Sequence, residues 1–369
     1  MKILHVVDGS VYNYDGVSTY INELLKCANQ SQDKLMIFSS LPLVPEKLRS
    51  VRRKVEVREF KSLKIFSSRS FNFSLPFGMK KALNKFRPDI VWIHTIGPLG
   101  IRAASLARNK YPVIYTKHCF DGDLWCSHLK IPPGFQWFVQ LVARLVERIV
   151  LKSSEVAFYH LNKTEKIHRD KFFSKFKFVP PPLDSRFLYE KTHRDIINNY
   201  KITTIGFCGR FEPEKNIAQI FEAIDIYQRK YKRKDIKLLL IGDGSEAVRL
   251  VSQYPDVNTT ITGFVDNPIP YLDQLDAYVI ASKTEMYSLS SMEAYARGLP
   301  VFSTPVGFIG QNADRLSHIY NFNTADELAS LINEVLNVRK VRPRPLPLDL
   351  DPSINTFSKL HEMVVSNYL

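Results

Sequence analysis

Short strand-like runs rich in Val and Ile, separated by amphipathic stretches, constrain this chain more than any other feature. The runs are Ile3–Val7, Leu35–Ser39, Val55–Phe60, Ile90–His94, Val113–Thr116 and Val156–Tyr159. Between them Val17–Cys27, Met79–Phe86, Gly100–Asn109 and Phe135–Lys152 carry apolar residues at helical spacing. Continuous apolar strands need cover on both faces, so this alternation predicts a parallel sheet between two layers of helices. The segment Val179-Pro180-Pro181-Pro182-Leu183-Asp184 breaks the pattern. Proline removes N–H donors and holds the chain extended, as a linker requires.

The alternation restarts with strands at Thr203–Cys208, Lys237–Ile241, Thr259–Gly263, Ala277–Ile280 and Pro300–Ser303. Helical stretches Ile217–Tyr231, Gly244–Gln253, Ser291–Arg297 and Ala325–Val338 lie between and after them. A basic, proline-rich connector, Arg339–Asp351, then leads to a last amphipathic segment, Ile354–Leu369. The expected fold class is α/β: two Rossmann-like domains facing a shared cleft, with ligands at the carboxyl ends of the strands. The domain boundaries predicted are 1–184 and 185–350, with 351–369 as a final helix.

Composition narrows the function classes. At 369 residues the chain exceeds one ordinary domain, and 45% apolar with 24% charged residues excludes a disordered chain. Four cysteines without a C-x-x-C pair argue against a disulfide framework or a zinc site and for a reducing compartment. The N-terminus turns polar too early for a signal peptide, and no apolar run approaches the ~20 residues needed to span a bilayer. The expected location is therefore cytoplasmic, with peripheral contact on the inner membrane face as a further possibility. The formal charge of +14 is uneven: residues 1–185 hold 30 basic and 15 acidic side chains, and the remainder is nearly neutral. An anionic partner for the first half follows, whether nucleic acid, lipid surface or phosphorylated substrate.

The block Ser282–Pro300 holds Glu285 and Glu293 eight positions apart, across a strand end, a tight loop and a helix start. Free N–H groups there favour an anion, and the carboxylates suit sugar hydroxyls. A solvated loop carboxylate and a helix-dipole partner are the alternative for the same pair. Upstream, Gly206-Phe207-Cys208-Gly209-Arg210-Phe211-Glu212-Pro213-Glu214-Lys215-Asn216 sets an arginine fork and a lysine charge between strand and helix, a combination suited to a diphosphate. Leu240-Ile241-Gly242-Asp243-Gly244 and Gly263-Phe264-Val265 follow the next two strands.

In that order these motifs resemble the retaining GT-B glycosyltransferases of family four, which use nucleotide-sugar donors. The likeness covers about 180 residues of the second half. In the first half it is looser, through Asp15-Gly16-Val17-Ser18, Pro88–His94 and Tyr115-Thr116-Lys117-His118. It implies that Arg210 and Lys215 hold the donor diphosphate, Glu285 the donor sugar and Glu293 the ribose. It places Phe264 and Val265 at the base. Gly16, Gly209, Gly242, Gly244, Tyr287, Ser288 and Leu289 complete the donor set, and His118 lies near sugar and acceptor. The catalytic residues implied are Glu285, His118, Arg210 and Lys215.

No cofactor or metal is implied; the donor is a UDP- or GDP-sugar. The resemblance assigns the first domain to an acceptor, expected to be a lipid-linked or cell-surface glycan, with possible contact to anionic membrane and no nucleic acid. The final helix is expected to cross back onto the first domain. A nucleotide-sugar epimerase of the same fold and an inactive partner subunit are the rival functions.

Three departures from the family pattern stand out. Met286-Tyr287-Ser288 replaces a glycine-rich stretch, Pro181-Pro182 replaces Asn-Gly, and Val306–Gln311 lacks the usual acidic residue. Asp121-Gly122-Asp123 imitates a metal-binding motif of a different fold and is set aside. His94 is expected to be structural or cleft-lining, and His5 a core residue. Phe135–Lys152, with Phe138, Leu141, Leu145 and Ile149 at helical spacing, is expected to cover the sheet, with a helix lying on a membrane as the alternative. Lys61–Arg87 mixes basic residues with Phe66, Phe71, Phe73 and Phe77 and is the better candidate for membrane contact, with a solvated loop carrying some core phenylalanines as the equal alternative.

Overall fold

The structure, a computed structural model, describes residues 1–8, 16–28, 33–40, 55–63, 73–118, 122, 125–126, 131–159, 176–178, 183–188, 203–285, 287–337 and 357–367. The proline linker at 179–182, the connector at 339–351, Asp121, Asp123 and Met286 lie outside the described residues, as do residues 64–72 of the basic–aromatic segment. The chain separates into two compact units, Met1–Pro182 with Asn355–Leu369, and Leu183–Ile354.

In the first unit a seven-stranded sheet runs in the order β3-β2-β1-β6-β7-β8-β9. Its strands are β1 (Lys2–Val6), β2 (Lys34–Ser40), β3 (Val55–Phe60), β6 (Ile90–Ile93), β7 (Val113–Lys117), β8 (Val156–Tyr159) and β9 (Phe176–Phe178). All the pairings are parallel. A separate antiparallel pair joins β4 (Ser62–Leu63) to β5 (Phe73–Ser74). The central strands β1 and β6 are buried almost throughout because both faces are covered, as their apolar sequences require. Helices α1 (Gly16–Ala28), α2 (Met79–Phe86), α3 (Pro98–Ala107) and α4 (Pro133–Ser153) belong to this unit.

Helix α4 departs from expectation. Its buried residues are Ala143, Glu147, Val150 and Leu151, and it contacts α3 and β7. Phe138, Leu141, Leu145 and Ile149, the stripe expected to cover the sheet, are exposed instead. The reason lies in the opposite face, where Glu147 accepts hydrogen bonds from Lys117 Nζ and Tyr115 Oη (3.2 Å). That charged anchor fixes which face of α4 turns inward.

The second unit holds a parallel sheet of six strands in the order β12-β11-β10-β13-β14-β15. These are β10 (Thr203–Cys208), β11 (Ile236–Ile241), β12 (Asn258–Ile261), β13 (Ala277–Ile280), β14 (Val301–Ser303) and β15 (Ile319–Asn321). Its helices are α5 (Ile217–Tyr231), α6 (Ala247–Gln253), α7 (Ile269–Leu272), α8 (Leu289–Ala296), α9 (Gly307–Gln311) and α10 (Ala325–Asn337). Helix α8 begins two residues earlier than its sequence predicts because Ser288 caps it, its hydroxyl accepting from Ser291 N at 3.4 Å. The short elements β9, β15, α7 and α9 were not anticipated.

A last helix, α11 (Phe357–Asn367), packs on α1 of the first unit, with Leu360 and Val364 buried in one cluster with Tyr20 and Leu24. His361 Nε2 lies 2.9 Å from Asp33 Oδ2, and the Met1 ammonium donates to Asp33 Oδ1 at 2.7 Å.

Candidate active site

Strands β10 and β13 are neighbours at the point where the order of the second sheet reverses. Open α/β sheets bind ligands beyond the carboxyl ends of strands at such a point, because the flanking loops diverge there and leave a crevice. After β10 the chain passes Gly209, Arg210 and Phe211, makes a 3₁₀ turn at Pro213–Lys215, and enters α5 through Asn216 at φ 50°. After β13 it runs through Ser282 and Glu285 to α8.

The two loops are tied together. Lys283 N donates to the Glu214 carbonyl at 2.9 Å. Lys215 Nζ meets Glu285 Oε1 at 2.5 Å, and Ser282 Oγ donates to the same oxygen at 2.9 Å. The Glu285 side chain is only 9% exposed, so it is no solvated loop charge. Arg210 Nη2 donates to Glu214 Oε1 at 3.2 Å, and Glu214 itself is buried.

Two glycines make this closeness possible. A Cβ on Gly242, at φ 136°, would lie 2.0 Å from the Gly209 carbonyl oxygen. A Cβ on Gly307, at φ 67°, would lie 2.7 Å from Glu285 Cβ. The Gly242–Gly263 bridge brings the loops after β11 and β12 side by side, with Phe264 exposed and Val265 half-buried beyond it. Gly244 sits against Phe211, whose backbone N donates to the Asp243 carbonyl at 2.9 Å.

Glu293, one turn into α8, exerts its charge on three buried groups. Burial pushes the Cys208 thiol and the Tyr278 and Tyr287 phenols up, and the Glu293 carboxylate pushes each in the same direction. The Tyr278 hydroxyl lies 2.9 Å from Ser290 Oγ and 3.1 Å from the Cys208 carbonyl, locking the end of β10 to the start of α8. The second unit thus gathers Gly209, Arg210, Lys215, Gly242, Gly244, Phe264, Val265, Glu285, Tyr287, Ser288, Leu289 and Glu293 on loops and helix starts that follow its strands. Chemically, this is a pair of cations and two carboxylates among backbone N–H groups.

Of the remaining predicted residues, Gly16 opens α1, while Asp15 lies outside the described residues. His118 directly follows β7 and stands at the end of a histidine chain. His94 Nδ1 is 3.2 Å from His118 Nε2, and His5 Nδ1 is 3.1 Å from His94 Nε2. Burial holds His5 down to about 3 and His94 well below the usual imidazole value, so both are neutral. At the end of β1, Asp8 accepts hydrogen bonds from Leu99 N (2.7 Å), Thr95 Oγ1 (2.9 Å) and Gly100 N (3.1 Å). Burial pushes this carboxyl up to about 6, although its donors pull the other way. The chain's own carboxylate thereby fills the anion site at the start of α3.

Sequence reasoning missed Ser282, Glu214, Tyr278 and Gly307. Only Gly307 carried a signal, as a glycine just after a strand; the others become visible through contacts between loops.

Likeness to solved structures defines the class. Anabaena HepE in complex with UDP and glucose superposes with a TM-score of 0.74 at 14% identity, covering 100% of this chain and 99% of that one. Sucrose-phosphate synthase from Thermosynechococcus elongatus gives 0.71 at 15% identity, covering 100% and 94%. The fold is GT-B. Residues 14–187 match the family described as Glycosyltransferase Family 4, and residues 202–338 match Glycosyl transferases group 1. The chain belongs to the family 4, group 1 glycosyltransferases.

Among curated relatives, the capsular polysaccharide biosynthesis glycosyltransferase CapM of Staphylococcus aureus is 30% identical over 36% of this chain and 34% of its own length. The alpha-monoglucosyldiacylglycerol synthase of Acholeplasma laidlawii is 25% identical over 60% of each. The GDP-mannose-dependent alpha-mannosyltransferase of Mycolicibacterium smegmatis is 23% identical over 63% and 62%. This chain therefore spans between one third and two thirds of the length of these three relatives.

Proposed function

We propose that the chain is a retaining hexosyltransferase that moves a sugar from a UDP- or GDP-sugar to a hydroxyl of a lipid-linked or cell-surface glycan, working at the cytoplasmic face of a membrane. One observation carries this reading: Lys215 and Glu285, from two different strand ends at the sheet's reversal point, meet at 2.5 Å with Arg210 on the adjoining loop. Breaking a glycosyl–phosphate bond builds negative charge on the diphosphate and oxocarbenium character on the sugar. Cations held in place before the reaction stabilise the first without reorganisation, and a buried carboxylate orients the second. In this role Arg210 and Lys215 bind the diphosphate, Glu285 the donor sugar, Glu293 the ribose, and the Phe264–Val265 backbone the base.

His118 is assigned to the acceptor, and its Nε2 is held against neutral His94. No protein nucleophile is assigned. The leaving phosphate itself takes the acceptor proton on the face from which it departs.

The relatives' printed names, a diacylglycerol-directed glucosyl enzyme and a GDP-mannose-dependent one, support a nucleotide-sugar donor and a lipid acceptor. The test is release of nucleoside diphosphate from UDP- and GDP-sugars with lipid-extracted acceptors, with anomeric configuration read by NMR. Arg210→Ala and Glu285→Ala should each lower turnover by at least 100-fold. Wild-type turnover in both variants, or epimerisation of the donor sugar without any acceptor, would reject the reading.

A further inference from the structure

We propose that the outward face of α4 docks the chain onto an anionic lipid bilayer. This rests on the reading that the acceptor is membrane-borne and names the surface that would reach it.

The observation is an apolar stripe without cover. Phe135 is 67% exposed, Trp137 62%, Phe138 53%, Leu141 42%, Leu145 50% and Ile149 45%. These six residues occupy one side of a helix whose other side holds Ala143, Glu147, Val150 and Leu151 against the first unit. From Phe135 to Ile149 the stripe runs ~21 Å along the helix. Its three aromatic residues cluster at the N-terminal end, and aromatic side chains settle at the headgroup level of a bilayer.

Charge chooses the occupant. Arg144 and Lys152 are exposed and Arg148 half-buried on the same helix, interleaved with the stripe. The helix has one acidic residue, Glu147, and it points inward to Lys117. An apolar stripe flanked only by cations is the pattern of a helix that lies in an anionic interface. A second copy of the chain would bring Arg144 and Lys152 against their own equivalents, which disfavours self-association through this face. The surplus of basic over acidic residues across 1–185 extends the attraction beyond the helix. The α4 face is a second candidate contact beside Lys61–Arg87, of which residues 64–72 lie outside the described residues.

The experiment uses the full chain and vesicles of pure phosphatidylcholine or of phosphatidylcholine with 30 mol% phosphatidylglycerol, a composition chosen for the assay (roughly one anionic lipid in three). Co-sedimentation should show binding to the anionic vesicles at least 10-fold tighter than to the neutral ones, weakening as salt rises. Leu141→Gln with Leu145→Gln should reduce binding at least 10-fold, and so should Arg144→Gln with Lys152→Gln. Both double variants should keep the wild-type melting temperature and the wild-type rate of donor hydrolysis without vesicles, because none of these residues belongs to the donor site. The emission that a Trp137→Phe variant loses should shift to the blue and be quenched by brominated lipids, which separates it from that of Trp92 and Trp125.

Binding that survives Leu141→Gln/Leu145→Gln, or no binding to either vesicle, would overturn the proposal. So would a dimer that these substitutions dissociate while vesicle binding is absent. Vesicle binding without glycosyl transfer would leave this proposal standing and reject the assigned function. Donor turnover without vesicle binding would do the reverse.

Discussion

Alanine at Gly307 is the most informative single change in the donor site. The residue stands at φ 67°, and its new Cβ would come within 2.7 Å of Glu285 Cβ, closer than carbon atoms approach. The positive φ alone costs a non-glycine residue about 1–2 kcal/mol. To relieve the collision Glu285 must withdraw, and a movement of about 1 Å stretches the Lys215–Glu285 contact to the edge of hydrogen-bond range. A carboxylate that is 9% exposed then loses its cation and keeps the Ser282 hydroxyl, adding about 1–3 kcal/mol. The expected total is about 2–5 kcal/mol.

Gly263→Ala in the same unit separates these contributions. Gly263 has φ 70° but nothing within 4 Å of its would-be Cβ, so only the backbone cost of about 1–2 kcal/mol applies. Urea unfolding of both variants gives the two energies, and titration with UDP- and GDP-sugars gives donor affinity. Gly307→Ala should be the less stable variant and should bind donor at least 10-fold more weakly than wild type. Equal destabilisation by the two substitutions, with donor affinity intact in Gly307→Ala, would refute the argument that Gly307 holds Glu285 in place.

The Lys117–Glu147 pair should behave as a buried ion pair. Glu147→Ala leaves Lys117, at 7% side-chain exposure, without its carboxylate and should cost about 3–5 kcal/mol in denaturant unfolding, while Glu147→Leu with Lys117→Met should recover most of it. Two buried groups in the first unit should titrate with opposite sign. His5, neutral down to about 3 in the fold and ordinarily near 6.5, makes the fold lose about 5 kcal/mol as pH falls through that window, and His5→Phe should flatten acid unfolding there. Asp8, raised from 3.8 to about 6, contributes stability fully present below 3.8 and lost as pH rises through 6. Wild type should therefore gain about 3 kcal/mol relative to Asp8→Asn between pH 7 and pH 3.5. Melting curves of the three proteins from pH 3.5 to 7.5 check both signs.

The central strands were legible because a strand covered on both sides has no polar face. Ile90–Ile93 and Ala277–Ile280 are buried at every position, and burial on both sides demands that composition. Strands β9 and β15 are three residues each at sheet edges, too short for a two-residue period to register. The motif loops could be read because each follows such a strand. What they do to one another could not, since the Glu285 partners Lys215 and Gly307 lie 70 and 22 positions away in the sequence. The orientation of α4 was misjudged for a similar reason. Its apolar residues are numerous enough to suggest two inward faces, and the decision falls to Glu147, whose partners Tyr115 and Lys117 sit on a strand thirty residues earlier.

Helix α11 joins the end of the chain to its beginning, through Leu360 and Val364 against Tyr20 and Leu24 and through His361 near the Asp33–Met1 pair. During synthesis at about 5–20 residues per second, tens of seconds separate the emergence of α1 from that of α11. By the end of that interval the second unit has all its strands, while the first still presents an apolar patch at Tyr20 and Leu24. The unit made first is thus the last to be completed. Substitutions or appended sequence near residue 360 should surface as defects of the amino-terminal unit, which would then be the more dependent on chaperones as it folds.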